Sequence, residues 1–506
     1  MKTNETLAKL HAIDRECNYL EKALAVLRWD QETYLPELGV EDRSEQLALL
    51  EGIAHKRLTS PETGRLLGEL GSVPENPRGD ESLPEPERDF LKVLRRNYDR
   101  AVKLPPDFVA AAAKAEGLSQ ACWVQAKKNN DFAAFLPHLE AMIGISRKRA
   151  DYWGYKDKPY DGLLDIYEPG MSSDSISAVF GPLGERLSAL LGKIAAKPRP
   201  DTSFLECGFD TGVQASFNKE LMKRLGFDTR RGRLDVSAHP FTTTLGADDV
   251  RITTRYLRDN PLSAIFSTIH ECGHAFYELA FSAGLRGSCL ADGASMGIHE
   301  SQSRLWENVI GRSRPFWEGF FPLLKSYFPE QLKSVGIDPF YHAVNQARPS
   351  LIRVEADEVS YSLHIILRFE LEKALFSGSL KAADLPGQWR RRMKEILGVE
   401  PETDAEGVLQ DVHWSMGSFG YFPSYALGNL YGLQFFRTLK ADLPHFEEDA
   451  AKGDFSALHS WLADTIYVWG RRLDPPDLLK KVTGQSLSAD PFLHYIESKY
   501  ADIYGI

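Results

Sequence analysis

Pro261-Leu262-Ser263-Ala264-Ile265-Phe266-Ser267-Thr268-Ile269-His270-Glu271-Cys272-Gly273-His274-Ala275-Phe276 is the stretch on which the reading of this chain turns. A proline opens it, and its apolar residues recur around most of a helical circumference, the pattern of a buried helix. Positions four apart on a helix point the same way, so His270 and His274 present two imidazoles to one ion. Glu271, one position on, is offset toward the open side, where it reaches a water on that ion. This is the logic of the H-E-x-x-H zinc peptidases. Two surface histidines on an amphipathic helix are the alternative, and the apolar circumference argues against it. Burying these polar groups without partners would cost several kcal/mol, which a bound cation offsets. Gly273 weakens the helix by about 1 kcal/mol, in return for close packing or the approach of another backbone.

Catalytic zinc takes three protein ligands and keeps a position for water. Residue 280 is alanine, which excludes the short-spaced third histidine of one peptidase class. Glu300, in His299-Glu300-Ser301-Gln302-Ser303, opens the next helical pattern and is the best third ligand, after a glycine-containing stretch over 284–297 that can turn the chain back. An acid stabilised by a helix N-terminus is the other reading of Glu300. His299 faces away from Glu300 and reads as a structural hydrogen-bonding residue.

Upstream, His239-Pro240-Phe241-Thr242-Thr243-Thr244-Leu245 and Val250-Arg251-Ile252-Thr253-Thr254-Arg255-Tyr256 flank the turn-forming Gly246-Ala247-Asp248-Asp249, which predicts a β-hairpin. Further out the chain reads as helix. Leu7, Leu10, Ile13, Cys17, Leu20, Ala23 and Leu27 form one apolar stripe, and 40–70 and 84–128 repeat the pattern. Stretches 74–86 and 198–212 read as loops. Later helices are predicted at 299–311, 341–376, 385–397, 425–441 and 455–470. The predicted fold is mainly α, with a small antiparallel sheet beside the metal helix.

The chain has 506 residues, a net charge of −11 and a pI of about 5.7. It lacks the basic footprint of a nucleic-acid binder. Five scattered cysteines without a CxxC pair point to a reducing compartment. The first residues lack an apolar signal region, and no apolar run approaches the roughly 20 residues of a spanning helix. A cytoplasmic protein without a membrane association is expected.

Taken together, further blocks resemble the carboxypeptidase Taq type of metallocarboxypeptidase. They are His239-Pro240-Phe241, Asp249-Val250-Arg251-Ile252-Thr253, the zinc motif, His299-Glu300-Ser301-Gln302, Ile352-Arg353-Val354-Glu355-Ala356-Asp357 and Gly407-Val408-Leu409-Gln410-Asp411-Val412-His413-Trp414. Trp29-Asp30 through Pro36 and Tyr167-Glu168-Pro169-Gly170-Met171 are similar to family segments as well, so the resemblance covers nearly the whole chain. It implies a large helical, groove-containing fold and a homodimer. It implies removal of single C-terminal residues from peptides with broad specificity. It also implies His270, His274 and Glu300 as ligands of Zn2+, or of Co2+ as in some relatives, and Glu271 as acid/base. On this basis residues 1–506 are one metallocarboxypeptidase domain, with 1–200 a helical subregion covering the groove and 201–506 the metal-bearing part.

The remaining roles follow from the chemistry. A tetrahedral intermediate needs oxyanion donors beyond the metal. His413 and Tyr421 are candidates, with Tyr425 the alternative tyrosine, and the block around His413 supports it. A carboxypeptidase must grip a free carboxylate, for which arginine offers a fixed fork. Arg353 is expected to do this from a helical stripe with Asp357, Tyr361, His364 and Arg368, Asp357 orienting it across one turn. Arg251 is a second candidate, on a strand able to pair with an extended substrate. Competing readings are an oligopeptide endopeptidase, a dipeptidyl carboxypeptidase and, least favoured, a metal-stabilised scaffold.

Overall fold

The computed structural model describes residues 2–506. Two long helices come first, α1 (Lys2–Thr33) and α2 (Val40–Leu58). Three short strands follow, β1 (Gly232–Val236), β2 (Thr242–Gly246) and β3 (Asp249–Thr254). The site is then carried by α3 (Pro261–Leu279), α4 (Met296–Arg304), α5 (Tyr361–Ser377) and α6 (Phe422–Asp442). Other helices, such as Phe132–Trp153 and Ser173–Ala195, fill the body of the molecule. The fold is mainly α, 68% helical, as the periodicity predicts.

The hairpin forms where the turn residues predict it, with β2 antiparallel to β3 and Thr243 opposite Arg251. A third strand, β1, joins β3 in parallel, Arg233 opposite Arg251, so the sheet is mixed and its order is β1-β3-β2. Residues 232–236 alternate polar and apolar, but the run is only five residues long and its parallel partner begins at 249, so no hairpin turn announces the pairing.

The helix expected over 341–376 is two helices. The first, Ile337–Val344, ends at Asn345, and α5 begins only at Tyr361. Pro349 disfavours helical backbone at the residue before it. Asp357 accepts hydrogen bonds from the backbone N–H of Val359 (2.9 Å) and Ser360 (3.0 Å), which marks the entry to α5. Arg353 therefore sits in a short 3-10 turn, Arg353–Glu355, and not on the stripe with Tyr361 and Arg368.

Helix α4 continues into a π-helical turn, Leu305–Ile310. Such turns are found frequently at functional sites, and this one carries Glu307. The main core runs from Ala126 to Tyr504. A smaller one joins Leu7, Leu10 and Ile13 of α1 to Leu67, Phe90 and Leu94, and to Leu285 and Leu290 from the loop after α3. That second core fastens α1 beside the metal helix. Among the described residues no helix is long and apolar enough to cross a membrane.

Candidate metal centre

Asn260 caps α3, its side chain accepting from Ser263 N–H, and Pro261 follows. Ile265, Phe266, Ile269, Cys272, Ala275 and Phe276 are buried on this helix. His270 and His274 emerge together, their rings 4.9 Å apart. Gly273 brings in the second element: a Cβ there would stand 2.7 Å from Gln302 O and from Ser303 Cα of α4. Gly428 of α6 does the same from the other side, since a Cβ there would lie 2.6 Å from Glu300 Cγ. Two glycines far apart in sequence thus let three backbones close around Glu300.

The result is three ligand atoms, from His270, His274 and Glu300, all within 4.8 Å of one another. Glu300 Oε2 is 3.7 Å from His270 Nε2 and 3.5 Å from His274 Nε2. The surroundings turn both Nε2 atoms inward. His270 Nδ1 lies 2.9 Å from Glu307 Oε2. His274 Nδ1 lies 2.6 Å from His299 Nδ1, whose Nε2 is 2.8 Å from Glu278 Oε1. For His274 to offer an Nε2 lone pair, its Nδ1–H must donate to His299, and His299 in turn donates Nε2–H to Glu278. Thr244 Oγ1 donates to the other Glu278 oxygen at 2.8 Å. Two imidazoles and a carboxylate form a donor set suited to a divalent cation. Burial opposes protonation of His270, but the neighbouring acids Glu300 and Glu307 outweigh it and raise its pKa.

The electrostatics agree. Burial pushes His274 down to about 3, so its imidazole is neutral. Burial opposes ionisation of Glu300, but Arg304, His270 and His274 outweigh it and hold the carboxyl well below its usual range. Burial also opposes ionisation of Glu307, yet Arg304, His270 and Arg312 bring it down to about 2. Arg304 binds both acids, at 2.7 Å to Glu300 Oε1 and 3.2 Å to Glu307 Oε2. Glu271 is raised, first by burial, and accepts from Thr242 Oγ1 at 2.5 Å.

Next to this centre the structure gathers His413, Tyr421 and Tyr425. His413 Nε2 is 3.2 Å from Tyr425 OH, and its ring is 5.4 Å from that of Tyr421. Burial pushes His413 down to about 4. Burial and then the charge of Glu300 raise Tyr421 to about 12. Tyr425 rises too, from burial with Tyr421, Tyr361 and Glu300. The charge of Glu300 acts on both tyrosines, and these contacts single out neither.

Arg353 is reached through the next contacts. Arg304 lies over the Tyr361 ring at 4.3 Å, and Arg353 Nη1 donates to Tyr361 OH at 3.3 Å. Its orienting acid is Asp411, with Arg353 Nε to Oδ1 at 2.8 Å. Asp357, expected in that role, is spent at the start of α5 because no helix joins the two. Arg251 is bound to Asp249 at 3.0 and 2.9 Å and lies over Trp29 at 4.3 Å. Its strand β3 is central, so it has no free edge to offer a substrate; the edge strands are β1 and β2. Beside β2 a cavity of about 620 Å³ is lined by Cys17, Lys22 and His55 of α1 and α2, by Thr242–Thr244 and by Glu278.

Glu278, Arg304 and Glu307 escape sequence reasoning. Glu278 and Arg304 each stand four residues from a ligand and Glu307 seven from Glu300, so they share its helical face; that spacing was the available signal.

Helix-borne histidines, an acid from a second helix and a buried glutamate beside them define a metallopeptidase. Comparison with known proteins narrows this: the chain belongs to the carboxypeptidase Taq (M32) metallopeptidase family, whose sequence model matches residues 9–500. It is a metallocarboxypeptidase. It is 40% identical over 495 residues to carboxypeptidase 1 of Bacillus subtilis, with 97% of each chain covered. It is 42% identical over 503 residues to thermostable carboxypeptidase 1 of Thermus thermophilus, again with 97% of each covered. The crystal structure of the M32 carboxypeptidase from Deinococcus radiodurans superposes with a TM-score of 0.96 at 39% identity, covering 99% of this chain and all of that one.

Proposed function

We propose that the enzyme removes single C-terminal residues from peptides of varied sequence, with zinc, or cobalt in its place, held by His270, His274 and Glu300. The observation carrying this reading is the continuous path Glu300–Arg304–Tyr361–Arg353, which links a buried guanidinium to the ligand triad through three successive contacts. A free C-terminal carboxylate on that guanidinium brings the last peptide bond toward Glu271.

A divalent cation bound there supplies Lewis acidity, lowering the pKa of a water toward about 7 and polarising the scissile carbonyl. Glu271 takes the proton of the attacking water and returns it to the leaving amine. Thr242 holds the Glu271 carboxylate in place through its hydroxyl. Tyr421 and Tyr425 keep their O–H protons at neutral pH, as tyrosines do and here with raised pKa values, and donate to the oxyanion. His413, neutral near pH 7, orients Tyr425. Arg251 is not required for carboxylate binding in this scheme; with Asp249 and Trp29 it braces the sheet against α1. The substrate's upstream residues run along the cavity beside β2, whose outer wall comes from residues between Asp14 and Asn97.

The family resemblance supports a homodimer, which light scattering tests: a monomer-sized species alone would refute it. All five cysteines are free, which favours a reducing, cytoplasmic setting.

The function is tested by a timed digest of an unstructured peptide followed by mass spectrometry, with chelator and metal add-back. A ladder losing one residue at a time from the C-terminus, abolished by chelator and restored by zinc or cobalt, is expected. Internal fragments or two-residue steps would sink the single-residue reading.

A further inference from the structure

Asp411 serves two arginines. Arg353 takes its Oδ1 at 2.8 Å, and Arg368 donates from Nε to its Oδ2 at 2.7 Å. Arg368 is wholly buried, while Arg353 and Asp411 are nearly so. Arg368 also donates from Nη1 to His364 O at 2.7 Å and lies over the Trp389 ring at 4.6 Å. Phe422 packs against both guanidiniums, at 5.8 Å from Arg353 and 5.4 Å from Arg368. The triplet therefore holds two positive charges and one negative in a pocket walled by aromatic rings. Glu372 lies one turn past Arg368 on α5. Its oxygens are bound by Tyr160 OH (2.7 Å), Trp414 Nε1 (2.7 Å) and Gly420 N–H (3.0 Å), not by an arginine. His364, one turn before Arg368, is buried and both its ring nitrogens lack a partner among the described residues. It adds no compensating charge.

A buried charge without a counter-charge is costly. We propose that Arg368 is a positioning residue for substrate polarity: by claiming half of Asp411 it leaves the triplet one positive charge in excess, and the C-terminal carboxylate is the anion that balances it. Without Arg368, Asp411 would neutralise Arg353 outright, and the same guanidinium would gain little from a carboxylate over a carboxamide. The inference rests on the carboxypeptidase reading and on Arg353 as the contact to substrate.

The test compares N-acetylphenylalanine with its carboxamide as competitive inhibitors of the metal-loaded enzyme. The wild type is expected to bind the acid more tightly than the amide. Arg368→Met is expected to weaken the acid by about tenfold or more with the amide unchanged, whereas Arg368→Lys, which keeps the charge, retains most of the preference. Arg368→Gln, which keeps a donor to Asp411, replaces the methionine variant if that does not fold. Equal weakening of acid and amide would overturn the proposal, leaving Arg368 a packing role. If Arg353→Met abolishes the preference and no Arg368 variant alters it, this inference alone falls. If the wild type does not separate acid from amide, the role of Arg353 as the carboxylate contact falls with it.

Discussion

Glu271 differs from glutamine by one atom's chemistry, which makes the substitution a clean test of its role. Glu271→Gln keeps the Thr242 contact and both histidines, so fold and metal content are expected to persist while kcat drops by about 10²–10⁴-fold. A fully active variant would remove Glu271 from the reaction. The pH profile carries the same information. Burial raises the pKa of Glu271 above that of an ordinary glutamate. Activity needs its ionised form, so the acid limb of kcat/KM is expected above the range of an ordinary glutamate. Arg353→Ala is expected to cost about 2–5 kcal/mol in kcat/KM toward free-acid peptides, as for a desolvated charge pair losing one member. An unchanged value would show that the carboxylate binds elsewhere.

At the scale of elements, close contact of α3 and α4 decides the ligand set. Gly273→Ala improves helix propensity by about 1 kcal/mol. The added methyl meets backbone atoms of Gln302 and Ser303 at 2.7 Å, which cannot rotate away. The clash outweighs propensity, and a net loss of about 1–3 kcal/mol is expected, with weaker metal retention in chelator competition. A variant that melts higher would show that α4 can shift. Glu372 ties three elements: α5 through its own backbone, Tyr160 from the preceding half, and the Trp414–Gly420 stretch next to His413 and Tyr421. Burial raises it from 4.5 to about 7. The folded state therefore holds a proton that the unfolded chain has released. Its contribution is fully present below about pH 4.5 and is lost as pH rises through about 7, by at most about 3 kcal/mol. Glu168, also raised to about 7, acts in the same direction. Melting temperatures of Glu372→Gln are expected to fall less steeply across that window than those of the wild type; parallel curves would assign the effect elsewhere.

For the whole molecule, the ligands join helices separated by a long loop, so the cation acts as a cross-link. Metal at a hundred times its Kd would stabilise the fold by about 2.7 kcal/mol. Chelation is expected to lower Tm and add-back to restore it; an unmoved Tm would separate the triad from metal binding. How much of this was legible in the residues follows from range. His270, Glu271 and His274 could be placed because helical geometry is local, and the β2–β3 hairpin because its turn chemistry is local. The mainly α class followed from periodicity, which is also local. Beyond that range the residues were silent or misleading. The parallel strand β1, the handover of Arg353 from Asp357 to Asp411, and the placement of Arg251 over Trp29 depend on segments meeting in space, whereas Pro349 and Asp357 break 341–376 locally. Local spacing thus places the candidate metal helix and names the chemistry of its residues. Their partners come from the folded arrangement, because hydrogen bonds and charge pairs between distant segments are set by packing and not by spacing along the chain.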